Sequence, residues 1–362
     1  MNIFISHTPY HIILILSLVK SEYKNQDNDL LIYNDFDLKN IDMQKLKLIF
    51  RNVYIYDREI NIKSTNIRLI DSKRKFKYRR EKIKKLITNK YYDTIFVCND
   101  SVFETQCIIE NNLKTKNQKV VYIEDGSNSY CFNNAKFYKQ DDRIKKFLKK
   151  FVYGINYENL NNIFGTHSKI VERRMIWPEI TRKELQNDKK PIREITKEQL
   201  ILGLSDCYSE IIKNIKNKKR ALIILEHIDF FSNKDDIHIS EYKFILSKVI
   251  SEFTKKGINV CIKYHPRDNS NYINEIIEEN DNIEIIENSI PIEVYYLQKD
   301  ISIISITSTA LLSATKIINN NSIVSLMDIM RVKDINLRYK FYQIGVRLPK
   351  DINSLICILD EF

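Results

Sequence analysis

Glu124-Asp125-Gly126-Ser127 closes the apolar run Val120-Val121-Tyr122-Ile123, so two adjacent carboxylates stand at the tip of a segment with strand character. A carboxylate at the end of a buried strand loses hydration, which raises its pKa and suits it to take a proton from a hydroxyl group. The Asp-Gly step fits a solvated turn as well. Further on, Lys263-Tyr264-His265-Pro266-Arg267 follows a strand-like run from Asn259, and the His-Pro step presents an imidazole where that strand stops. A solitary histidine also fits a purely structural place. Ile301-Ser302-Ile303-Ile304-Ser305-Ile306 then leads into Thr307-Ser308-Thr309-Ala310-Leu311-Leu312, with hydroxyl groups at the change from strand to helix. Ser308 or Thr309 can cap that helix, and free N–H groups with the helix dipole suit a phosphate as readily as an ordinary cap. Between these two, Glu293 follows Pro291 at a helix start, where it can accept two ribose hydroxyls or stabilise the dipole as a first-turn acid. Thr8-Pro9-Tyr10-His11 lies in the loop after the first strand.

The elements that position these residues alternate as short apolar runs and longer amphipathic ones, the pattern of βα units around parallel sheets. One set of strands is expected at Asn2 to Ser6, Leu30 to Tyr33, Val53 to Tyr56, Thr94 to Cys98, Val120 to Ile123 and Asn162 to Gly165. A second is expected at Ala221 to Leu225, Asn259 to Tyr264, Ile283 to Ile286, Ile301 to Ile304 and Ser322 to Leu326. Arg182 to Gln199 is charged, carries Pro191 and lacks apolar periodicity, which marks the linker. The expected domains are 1–185, a linker at 186–200, and 201–362. Two doubly wound α/β domains place a cleft between the C-terminal edges of their sheets, where parallel sheets bind ligands. With six glycines and neither GxGxxG nor GxxxxGK[ST], the chain is no dinucleotide enzyme or P-loop NTPase.

At 362 residues, 43% hydrophobic and 11% aromatic, the chain has material for two packed cores. The six cysteines are scattered, with no CxxC and no zinc-finger partner, and most of them sit in apolar runs and read as small core residues of a reduced compartment. The apolar N-terminus lacks a basic leader region and no window is apolar enough to span a bilayer, so the expected place is the cytoplasm. A net charge of +11 attracts polyanions. It concentrates from Lys73 to Lys85 and in Ile144-Lys145-Lys146-Phe147-Leu148-Lys149-Lys150-Phe151, which suit peripheral contact with an anionic membrane or a simple solvated face. A nucleic-acid binder would share the charge but would leave the strand-end residues without a role and shows no zinc-finger or RNP-like signature, so nucleic acid is not an expected partner.

In order and spacing, Thr8-Pro9-Tyr10-His11, Glu124-Asp125-Gly126, Tyr264-His265-Pro266-Arg267, Pro291-Ile292-Glu293 and Ser308-Thr309-Ala310-Leu311-Leu312 resemble the bacterial sialyltransferases of GT-B fold. The chain looks most like glycosyltransferase family 52, the lipooligosaccharide and capsule sialyltransferases, with related motifs in family 38, the polysialyltransferases, and family 80. The resemblance runs from residue 6 to about residue 315. The family's pair of serines stands here as Ser308-Thr309.

The resemblance implies an inverting, metal-independent transfer of sialic acid from CMP-sialic acid to a galactoside or sialoside of a surface glycan, with no cofactor. It implies Asp125 or Glu124 as base, with Gly126 and Ser127 beside them, and His265 as the group that meets the leaving phosphate. Lys263, Pro266, Glu293, Ser308 and Thr309 would hold the donor; Thr8, Pro9, Tyr10 and His11 would line the cleft near the sugar or acceptor. A polysialyltransferase, or an α-glucosyltransferase of family 52 using a UDP-sugar, fits the same motifs. The place implied is the cytoplasm or the inner face of the inner membrane, as a monomer or a homodimer.

Overall fold

The structure, a computed structural model, describes residues 1–58, 68–87, 90–113, 115, 117–130, 143–160, 163–208, 211–212, 215, 219–232, 237–265, 268, 270–278, 280, 282–298, 300–318 and 322–361, with backbone alone at 68–69, 127, 143–147 and 206–207. The chain forms two compact units, Met1–Cys207 and Tyr208–Phe362.

The first unit is built on strands β1 (Asn2–Ser6), β2 (Asn28–Tyr33), β3 (Asn52–Tyr56), β4 (Thr94–Val97), β5 (Lys119–Ile123), β6 (Ile170–Met175) and β7 (Ile192–Glu194). They pair in the order β3-β2-β1-β4-β5-β6-β7, every pair parallel. Helices α1 (Pro9–Ser21), α2 (Met43–Ile49), α3 (Arg68–Leu86), α4 (Phe103–Asn112), α5 (Arg143–Tyr153), α6 (Lys183–Asn187) and α7 (Lys197–Cys207) connect and cover them. Every residue of β1 and β2 is buried, as helices on both faces of a parallel sheet require, which is why these strands read as continuous apolar runs. Phe4 on β1 stacks on Phe96 of the neighbouring β4 with ring centroids 4.2 Å apart.

The second unit carries β8 (Arg220–Ile224), β9 (Asn259–Lys263), β10 (Ile283–Ile285), β11 (Ile301–Ser305) and β12 (Ile323–Ser325), in the parallel order β10-β9-β8-β11-β12. In both sheets the order of strands reverses direction once, between β1 and β4 and between β8 and β11. The loops leaving the C-terminal ends of such strands diverge to opposite faces and leave room for a ligand.

Two sequence expectations need correction. The sixth strand is not Asn162 to Gly165; the described part of that stretch, Ile163 to Gly165, is a turn in which Gly165 takes φ 82° against the Tyr122 ring. The strand lies at Ile170–Met175, where Glu172-Arg173-Arg174 hides its apolar pattern. Arg173 is fully buried because its guanidinium is matched: Nε and one terminal nitrogen donate to the Gly165 carbonyl at 3.0 and 2.8 Å, and the other donates to the Leu185 carbonyl and Asp188 at 2.9 and 2.6 Å. The stretch 186–200, expected as a linker, holds β7, paired with β6, and the start of α7, and residues 201–207 belong to the first unit.

Among the described residues no helix is long and apolar enough to cross a membrane. Cys98, Cys107 and Cys261 are buried and not in disulfides.

Helix α7 packs closely along α1. Gly203 makes this possible, since a Cβ there would lie 2.2 Å from Ser17 Oγ and 2.4 Å from the Ile13 carbonyl oxygen. The second of these is backbone and cannot swing away, so a methyl group must separate the two helices. Gly203→Ala is therefore expected to cost about 1–3 kcal/mol despite the better helix propensity of alanine. Urea unfolding followed by circular dichroism measures it, and an unchanged or raised midpoint would contradict the close packing.

Candidate active site

The first unit gathers its polar chemistry where β1, β4 and β5 end. Thr8 caps α1 from an extended backbone, Pro9 fills the first helical turn, and the Thr8 hydroxyl accepts the His11 N–H at 3.2 Å. This cap fixes His11, which is buried, with its Nε2 2.6 Å from Asp125 Oδ1. The His7 backbone N–H donates to His11 Nδ1 at 3.1 Å, so a neutral ring carries its proton on Nε2, toward the carboxylate. Burial disfavours charge on His11, whereas Cys98 and Asp125 favour it and raise its pKa overall; charging the ring costs the His7 bond, which only an unprotonated Nδ1 accepts.

Asp125 and Glu124 are neighbours in sequence with opposite surroundings. Gly126 takes φ 73° and opens a single turn, Gly126–Ser129, which a residue with a Cβ would strain. The Asp125 N–H points into this turn, 3.2 Å from both the Tyr122 hydroxyl and Ser129 Oγ. Its carboxylate keeps 15% exposure. Glu124 is 1% exposed and fully engaged: Oε1 accepts the Tyr10 hydroxyl at 2.8 Å, and Oε2 accepts the Ile176 N–H at 2.6 Å and the Tyr130 hydroxyl. Burial raises the Glu124 pKa, with Tyr130, Ile176 and Tyr10 opposing. The backbone of Ser127 belongs to the turn, and its side chain lies outside the described residues.

One carboxylate of this edge was not read from the sequence. Asp100, just past β4, accepts the Gly165 and His167 N–H groups, each at 2.9 Å. Burial lifts its pKa to about 6, against those two amides and with help from the charge of Asp125. The signal was present, since Cys98-Asn99-Asp100 repeats the pattern of an acid after an apolar strand. His7 stacks on Tyr33 with centroids 4.2 Å apart, and Arg58 lies 3.2 Å from its Nδ1 while pairing with Asp35 at 3.1 Å. Burial pushes the His7 pKa down to about 4; Asp35 opposes this, and His11 and Arg58 reinforce it.

In the second unit the corresponding edge is organised by a carboxylate that sequence reading also missed. Glu226, just past β8, accepts the Thr307 N–H at 2.6 Å and its hydroxyl at 3.0 Å, which ties together the two loops that flank the reversal of strand order. No motif marks Glu226; its meaning depends on β8 and β11 being neighbours. Ser308 Oγ accepts the Ala310 N–H at 3.3 Å, whereas Thr309 occupies the cap position without a side-chain cap bond. The first amides of helix Ala310–Ile317 are not free as the sequence suggested. Tight turns engage Leu311 N–H with the Ser308 carbonyl at 3.1 Å and Leu312 N–H with that of Thr309 at 2.9 Å.

At the end of β9, the His265 ring meets His227 edge to face at 5.3 Å, and its carbonyl accepts the Asp268 N–H at 2.8 Å. Pro266 lies outside the described residues. Lys263 is buried and donates to the Glu287 and Asn288 carbonyls at 3.1 and 3.3 Å. Burial lowers its pKa to about 8, with Glu293 and Glu287 opposing. Glu293 follows Pro291 at the start of the turn Ile292–Leu297, and burial raises its pKa while Lys263 pulls it back. The structure thus sets Lys263 beside Glu293, His11 against Asp125, and Tyr10 on Glu124. Among the described residues no three His, Cys, Asp or Glu side chains group to hold a metal ion.

A family described as Alpha-2,8-polysialyltransferase (POLYST) matches residues 2–327. No curated protein matches the sequence. Among solved structures, UDP-GlcNAc 2-epimerase of Methanocaldococcus jannaschii, in complex with UDP-GlcNAc and UDP, is similar over 100% of this chain and 92% of its own, at 15% identity and TM-score 0.57. UDP-GlcNAc 2-epimerase from Neisseria meningitidis, bound to UDP-GlcNAc, is similar over 100% and 90%, at 14% identity and TM-score 0.53. At these identities the likeness is one of fold: two Rossmann-like units in one chain, the GT-B fold.

The low pKa of His7 has a measurable consequence. The unfolded ring binds a proton near pH 6.5 and the folded one near 4, so the unfolded state holds more protons across that window and stability falls as pH drops through it. The loss approaches about 3 kcal/mol at the acid end. His7→Phe keeps a ring on Tyr33 and removes the proton site. Urea midpoints from pH 7 to 4 should therefore fall less steeply in this variant, and parallel curves would show that His7 is not the group responsible.

Proposed function

Because the chain belongs to the alpha-2,8-polysialyltransferase family, we propose that it lengthens a sialic acid polymer, moving sialic acid from CMP-sialic acid to a hydroxyl of a terminal sialic acid with inversion at the anomeric carbon. The family match over residues 2–327 carries this reading. It supports elongation of a sialic acid polymer in preference to transfer to a galactoside. As a member of this family the chain is a glycosyltransferase, and the donor, stereochemistry and acceptor are the proposal.

In a single displacement the acceptor oxygen forms a bond to the anomeric carbon, its proton passes to a base, and the bond to the CMP phosphate oxygen breaks with its electron pair. Asp125 is the base in this reading. It is the acid of the pair that reaches solvent, and the Nε2–H of His11 orients it; Glu124 has its oxygens occupied by Tyr10, Tyr130 and Ile176. Thr8, Pro9, Tyr10 and Gly126 serve the acids: Thr8 and Pro9 fix the helix start that carries His11, Tyr10 holds Glu124, and Gly126 turns the chain.

His265 donates to the departing phosphate, and the hydroxyls of Ser308 and Thr309 at the start of helix Ala310–Ile317 add donors there. Charge on the leaving group is met by these groups, so no metal is required in this reading. Glu293 accepts the ribose hydroxyls, and Lys263 sets the Glu287-Asn288 loop beside it. The sugar's own carboxylate offsets the positive charge that develops at the anomeric carbon, so no enzyme nucleophile is needed, unlike in a retaining two-carboxylate hydrolase.

Incubation with CMP-sialic acid and an oligosialic primer should give a ladder of longer products by mass spectrometry, while UDP-GlcNAc and UDP-glucose should be left intact. Consumption of a UDP-sugar in place of CMP-sialic acid would sink the proposal. Asp125→Asn and His265→Ala should each lower turnover by about 10²–10⁴-fold with the fold intact. Glu124→Gln should instead lower the unfolding midpoint and keep turnover within about tenfold, since it disturbs a buried hydrogen-bond set and not the base. The reverse pattern would move the role of base to Glu124.

A further inference from the structure

We propose that the exposed face shared by α3 and α5 binds the surface of an anionic lipid bilayer. Helix α3 carries ten Lys and Arg residues against Asp71 and Glu81. Its inward side is committed to packing: Phe76 lies 4.4 Å from Tyr153 and 4.8 Å from Phe103 between ring centroids, Ile83 is buried, and Arg79 pairs with the buried Glu104. At the helical spacing of three and four, Ile70, Lys73, Arg74, Lys77, Tyr78 and Lys85 fall on the opposite side, and all six are exposed. Glu81 on that side sits 4.0 Å from Lys77.

Helix α5 packs beside α3 and brings apolar groups to the same face. Lys73 Nζ lies 3.6 Å from the centre of the Phe151 ring, which fixes the cationic row of α3 next to Phe151. Leu148, one turn earlier, is 52% exposed and Phe151 is 50% exposed. Cations alone would suit any polyanion. Leucine, phenylalanine, isoleucine and tyrosine side chains set among lysines suit an interface with anionic headgroups outside and hydrocarbon beneath, because the headgroups take the charges and the acyl region takes the apolar groups. A soluble acidic glycan has no apolar phase to receive Leu148 and Phe151.

Co-sedimentation of the full chain with vesicles tests this. Binding is expected to vesicles of phosphatidylcholine with about a third phosphatidylglycerol, at least about tenfold weaker binding to phosphatidylcholine alone, and loss of binding near 1 M salt. Leu148→Ser with Phe151→Ser should weaken partitioning by about tenfold or more, and Lys77→Glu with Lys85→Glu should do so independently. Both pairs should keep the wild-type unfolding midpoint and wild-type turnover on soluble substrates. Equal binding to neutral vesicles, or binding that both double variants leave unchanged, would overturn the proposal. So would an apolar pair variant with full vesicle binding beside a charge pair variant that has lost affinity for soluble oligosialic acid, which would assign the face to the polymer.

Discussion

The buried carboxylate of Glu124 is the fixed point of the first unit's edge. An ionised carboxylate removed from water is costly unless its lone pairs are met, so each of its three donors must stay where it is. Those donors come from separate pieces of the chain: Tyr10 from α1, Tyr130 from beyond the Gly126–Ser129 turn, and the Ile176 amide from the end of β6. One side chain therefore joins a helix, a turn and a strand end around the residue that follows it. Asp125 inherits its place from this arrangement, and among the described residues its oxygens are held by the contact with His11.

The second unit solves the same problem with different chemistry. Parallel strands buried on both faces leave polar groups only at their ends, and the reversal of strand order decides which ends come together. Glu226 bridges β8 and β11 through Thr307 there, as His11 and Asp125 bridge α1 and β5 in the first unit. In each case a carboxylate accepts from a group that a different βα unit delivers. The two units thus share a plan in which loops are pinned across the sheet edge, while the residues pinned differ in type.

Much of this was legible in the sequence, and the exceptions have physical causes. Strands such as Asn2–Ser6 and Ile301–Ser305 are buried on both faces and announce themselves as apolar runs. β6 does not, because Arg173 and Arg174 are buried by pairing with Asp188 and Glu22, and a matched arginine looks like a surface residue in a one-dimensional pattern. β7 is a three-residue edge strand, too short for any period to show. Within the candidate site, Asp125, His265 and Ser308 stood out because strand ends and helix starts are local signals. The partnership of His11 with Asp125 was not legible, since it links residues far apart through the order of β1, β4 and β5. Glu226 was silent for the same reason, and Asp100 needed only the strand-end rule applied once more.

The contact at Gly203 reaches further than the stability of one helix pair. Ile13 and Ser17, which it touches, lie on the same rod as His11, and a helix transmits a displacement along its axis with little loss. Ser17 is about 9 Å from His11 along that axis, less than two turns. A shift of α1 by a fraction of an ångström would thus arrive at the imidazole held against Asp125, where the proposed proton transfer is steeply sensitive to placement. Positions 17 and 203 therefore form a single packing unit: bulk gained at one is accommodated only if bulk is lost at the other, so a glycine remote from the proposed base bears on its placement.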